Sequence, residues 1–81
     1  MRVKELLEKL RTEFEDNKEL HRYYSREYEE RFLDLLSDRT IGYEVVCNDE
    51  DLEDLGTQQR KAYAKMNDLR IAIAVIEERA T

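Results

Sequence analysis

Two short stretches hold the residue types that could act on another molecule. In His21-Arg22-Tyr23-Tyr24-Ser25-Arg26, two arginines stand one helical turn apart with Tyr23 beside them. Guanidinium groups at that spacing, next to an aromatic face, can grip a phosphate while the ring stacks on a base. The chemistry would be binding of a nucleotide or similar anion, and it would fall on Arg22, Tyr23 and Arg26. The competing reading packs Tyr24 and Tyr28 into an apolar seam and pairs the arginines with neighbouring glutamates. Helical periodicity favours that second reading.

The other stretch is acidic. Glu44, Asp49, Glu50, Asp51, Glu53 and Asp54 put six carboxylates into eleven residues with no intervening Lys or Arg. As a calcium loop it fails, because the sixth position counted from Asp49 is Asp54 where a glycine is needed, and the twelfth is Arg60 where a glutamate is needed. Its plain role is to complement the dipole at a helix start. Its sharper role is a docking patch for a basic protein surface, presenting carboxylates where that surface would otherwise meet phosphates.

Little else points to chemistry. His21 is the sole histidine and has no second ligand or nucleophile at a useful spacing. Cys47, the sole cysteine, has acidic surroundings that oppose thiolate formation, so it is read as a small packed residue. No glycine-rich phosphate loop, nucleophile elbow or paired-cysteine metal motif occurs, and enzymatic activity, a metal and a cofactor are not expected. The net charge of −6 divides as −2 over residues 1–40, −6 over 41–56 and +2 over 57–81. The middle segment therefore carries the whole imbalance, and direct binding to duplex nucleic acid is disfavoured.

The elements that must position these stretches are helices. Leu52, Leu55, Gln59, Ala62, Met66, Leu69, Ile73, Ile76 and Ala80 alternate at steps of three and four, with Gln59 the one polar member. Leu55, Met66, Leu69, Ile73 and Ile76 are its core or oligomer-forming positions. A second series, Val3, Leu7, Leu10, Phe14, His21, Tyr24, Tyr28 and Leu35, is interrupted by Asn17 and Arg31. Between the two, Ile41, Tyr43, Val45 and Cys47 alternate as in a strand, predicting an extended connector or a strand that pairs with its own copy. Asn48 is a suitable cap for the helix that follows.

The predicted fold is all-α. It is an antiparallel hairpin with one helix over 3–37, an irregular acidic connector over 38–48 and a second helix over 49–79, with Gly56 a point where that helix could break. At 81 residues the core is small, and packing into a dimer or larger helical bundle is expected. There is no long apolar run or apolar leader, so a cytoplasmic protein away from membranes is the simplest expectation. The functional expectation is a small, acidic, non-enzymatic interaction protein that binds and occludes a macromolecular partner. Phage-encoded inhibitors of host defence and antitoxin or immunity proteins share that size and charge, an analogy that extends no further. The alternatives are an oligomeric nucleotide or anion binder and a purely structural assembly module.

Overall fold

The computed structural model describes residues 2–38 and 42–80, apart from the side chains of Tyr43, Cys47 and Ala80. The predicted all-α hairpin is the fold found. Helix α1 spans Val3–Ser37, the short α2 spans Tyr43–Cys47, and α3 spans Glu50–Ala80. The long helices lie antiparallel in a rod of 59 × 16 × 16 Å, so the molecule is one helix long and two helices wide.

The α3 seam faces α1, and Leu52, Ala62 and Leu69 are buried there. Leu55, Met66, Ile73 and Ile76 are half-buried, because two helices can cover only one side of each other. Register is set by facing pairs that advance in step. Gly56 meets Tyr28, Gln59 donates from Nε2 to Ser25 Oγ at 2.8 Å, and His21 packs its ring 5.7 Å from that of Tyr63. Steps of three and four back along α1 match the same steps forward along α3. The lone polar residue of the α3 seam thus finds its partner on α1, and a polar layer of this kind favours one register over its neighbours. Asn17 takes a different course and donates from Nδ2 to the Glu13 carbonyl one turn back at 2.8 Å. At the open end, Arg11 pairs with Glu77.

The densest packing lies at the closed end, where Leu35, Val46 and Leu52 are buried against Tyr28 and Phe32. Here the connector departs from the expected extended form. Residues 43–47 make a short helix whose Val45 and Val46 N–H groups donate to the Gly42 carbonyl at 3.0 and 3.3 Å. β-Branched residues favour strands. A lone strand, however, leaves its backbone groups without a ladder, whereas a helical turn satisfies them locally. The turn also changes which side chain is inside: Val46 is 1% exposed and Val45 59% exposed, the reverse of the two-residue alternation. Ile41 and the Tyr43 and Cys47 side chains lie outside the described residues, and so does the packing expected of Cys47.

One further local expectation is corrected, and one left open is resolved. Asn48 closes α2, its Nδ2 donating to the Glu44 carbonyl at 2.9 Å, while the residue that caps α3 is Asp49, whose Oδ2 accepts from the Leu52 N–H at 3.0 Å. Gly56 does not break α3. The helix runs through it, with the Tyr28 ring facing it across α1 and α3.

Candidate functional site

The acidic stretch gathers at the closed end, but its six carboxylates are not equivalent. Asp49 is held on two sides. Arg31 donates from Nε to its Oδ2 at 3.2 Å and from Nη2 to its Oδ1 at 3.1 Å, while the Leu52 N–H takes up Oδ2 as well. The hydrogen bond from Arg31 foremost, then that from Leu52, holds the Asp49 carboxyl below its ordinary range, and the same contact raises the Arg31 pKa. Asp51 approaches Arg31 Nη2 at 3.6 Å while staying largely exposed. Glu44, Glu50, Glu53 and Asp54 are exposed to solvent.

Arg31 therefore has a role that its position in the helical period did not reveal. It interrupts the α1 seam because it ties α1 to the start of α3 with a bidentate contact, the geometry that suits guanidinium to carboxylate. The start of α3 is held against α1 as a consequence.

The fold also brings in carboxylates from α1. A groove of about 390 Å³ between the long helices is lined by Glu27, Glu30, Arg31, Asp34, Asp51, Asp54 and Leu55. A second hollow, about 550 Å³, is lined by Glu44, Val45, Asn48, Asp49, Glu50 and Asp51. Asp51 belongs to both, so the two form one acidic surface around the closed end. Glu27, Glu30 and Asp34 were not singled out from the sequence. Their signal was a spacing of three and four on the α1 face beside the seam, within the helical turns that the acidic connector must reach. Among the described residues no three His, Cys, Asp or Glu side chains converge to hold a metal ion. What this arrangement offers is presented charge: among the described residues lining the two hollows, several solvent-facing carboxylates stand against Arg31, which is already engaged by Asp49 and Asp51.

Arg22, Tyr23 and Arg26 are also brought together. They line a shallow groove of about 550 Å³ along α1, with Asp16, Glu19 and Leu20. Arg22 is engaged by Glu19, Nη1 to Oε1 at 3.1 Å, and the Tyr23 ring meets the edge of Tyr24 with centroids 5.3 Å apart. Two carboxylates inside the groove oppose an anion, and a surface ion pair already occupies one guanidinium. Tyr24 and Tyr28 are half-buried, and Tyr28 stacks on Phe32. His21, packed on Tyr63, sits in the helix interface.

No described helix is long and apolar enough to cross a membrane. No family model, curated protein or solved structure matches this chain.

Proposed function

We propose that this protein is a non-enzymatic interaction module whose closed end docks on, and occludes, a basic surface of a macromolecular partner. The observation that carries the reading is the convergence of carboxylates from α1, α2 and α3 on one end of the rod, with Arg31, which lines the groove there, already engaged by Asp49 and Asp51. Such a surface steers and orients a positively charged partner without needing a cavity. Work in the cytoplasm, self-association, and action as an inhibitor of the kind found among phage anti-defence and antitoxin proteins belong to the same proposal.

The test begins with affinity purification from the native host and identification of the retained protein by mass spectrometry. Association rates are then measured across a salt series for wild type and for a variant carrying Glu50→Gln, Glu53→Gln and Asp54→Asn. These three are exposed and take no part in the Arg31 contact, so circular dichroism should be unchanged. Slower association at low salt, converging with wild type as salt rises, is the expected result, because steering between exposed charges is screened over about 8 Å at physiological ionic strength. Equal rates at low salt would remove the acidic end from the interface.

A further inference from the structure

The chain is net acidic, and each hollow described above has carboxylates in its wall. A smaller one does not. On a flank of the rod, a notch of about 90 Å³ is lined by Phe14 from α1 and by Tyr63, Met66, Asn67 and Arg70 from α3. Phe14 and Met66 are seam residues that the two helices leave half-buried, and they give the notch an apolar wall. Tyr63 is 61% exposed, although the His21 ring packs 5.7 Å away and restrains it.

The charge comes from Arg70. Among the described residues, Arg11 pairs with Glu77, Arg22 with Glu19, and Arg31 with Asp49 and Asp51. Arg70 pairs with no carboxylate there, and its Nη2 donates instead to Asn67 Oδ1 at 2.8 Å. That amide is neutral, so it orients the guanidinium while leaving its charge uncompensated. A ring seated against Tyr63, Phe14 and Met66 gains aromatic and sulfur contacts. A carboxylate on the same molecule meets the remaining donors of Arg70 in the paired geometry that suits guanidinium. Size and backbone narrow the class further. The notch has room for one ring, which leaves out a nucleotide. The backbone around it is hydrogen-bonded within α1 and α3, so nothing there can pair with the backbone of a peptide.

We propose that this notch binds a free single-ring aromatic carboxylate, its ring against Tyr63 and Met66 and its carboxylate on Arg70. Basic-partner docking uses the closed end, so either idea can fail alone.

Phenylacetate, titrated into the isotopically labelled full chain and followed by heteronuclear NMR, is the direct probe. One ring and one ion pair in an open site support millimolar affinity. The signals of Tyr63, Met66, Asn67 and Arg70 should shift together and saturate, while those of Arg22, Arg26, Glu50 and Glu53 stay in place. Phenylacetamide keeps the ring and loses the charge, and should bind about 10-fold more weakly. Acetate keeps the charge and loses the ring, and should give no saturable shift. Arg70→Gln should weaken phenylacetate by the same factor of about 10 with circular dichroism unchanged, because Arg70 is exposed and ties no second element. Arg60→Gln, which removes a charge from the same helix outside the notch, should leave binding as it was. No saturable shift at tens of millimolar phenylacetate, equal binding of phenylacetamide, or an equal loss in Arg60→Gln would each overturn the proposal. So would much tighter binding of a peptide that ends in phenylalanine, which would reassign the notch to the end of a partner chain.

Discussion

Replacing Gly56 with alanine should stabilise the protein, although Gly56 is buried and faces an aromatic ring. Within a helix, glycine is about 0.8–1.0 kcal/mol less favourable than alanine, because it exposes backbone and loses more freedom on folding. The structure decides whether this gain survives. A β-carbon at Gly56 would lie 3.4 Å from Tyr28 Cε2, 3.8 Å from Tyr28 Cδ2 and 3.8 Å from Arg60 Nη1, all ordinary van der Waals separations. The methyl group would therefore fill space against the ring without displacing it. Expected stabilisation is about 1 kcal/mol, a rise in Tm of roughly 4–8 °C for a domain of this size.

Valine sets the contrast. Its γ-carbons reach further toward Tyr28, whose ring is stacked on Phe32 with planes only 7° apart. Displacing the ring disturbs the layer beneath Val46, so Gly56→Val should destabilise by about 1–3 kcal/mol. Thermal and urea unfolding followed by circular dichroism, at matched protein concentration, would read both variants. A lower Tm for Gly56→Ala would refute the reasoning. It would mean that Tyr28 needs closer backbone approach than 3.4 Å implies, and that the glycine is there for contact.

Other variants separate the remaining interactions. Because the Asp49 pKa is lowered on folding, its contribution is fully present above the ordinary aspartate value of about 3.9 and is lost as pH falls through the lower folded value. Asp49→Asn keeps a capping side chain but loses the charge facing Arg31, so its acid-unfolding curve should be flatter than that of wild type in this window. Ser25→Ala should cost about 1 kcal/mol by leaving the half-buried Gln59 amide without its partner, whereas Gln59→Leu with Ser25→Ala should recover that loss. Leu69→Ala should cost about 2–3 kcal/mol, toward the lower end for buried leucines, since the interface has solvent on both flanks. Calorimetry with mononucleotides should give no measurable heat in wild type, given Asp16 and Glu19 in the Arg22–Arg26 groove. Binding lost in Arg22→Ala would reverse that assignment.

Both long helices were legible because their evidence is repetitive: each added turn restates the same three-and-four spacing. The connector had no such redundancy. Five residues rich in valine carry a strand preference, and whether they coil instead depends on what Val46 can bury against Tyr28, Phe32, Leu35 and Leu52. None of those is close in sequence except Leu52. Register was hidden for a related reason. The odd polarity of Gln59 was visible, but its partner Ser25 was an unremarked residue whose importance exists only once the two helices lie antiparallel.

The acidic site shows how far local composition can be read as surface charge. All six carboxylates do lie at one end, so their sequence clustering carried over into space. Their division of labour did not, because it depends on Arg31, a residue eighteen positions before Asp49 that the periodicity marked only as an interruption. That contact makes Asp49 a structural group and leaves the exposed glutamates, Asp54 and the α1 carboxylates Glu27, Glu30 and Asp34 to define the outward field. A test that neutralised Asp49 would therefore loosen the start of α3 and the field together. One that neutralises Glu50, Glu53 and Asp54 changes the field while the rod stays intact, and the two kinds of variant should part company in circular dichroism before any partner is added.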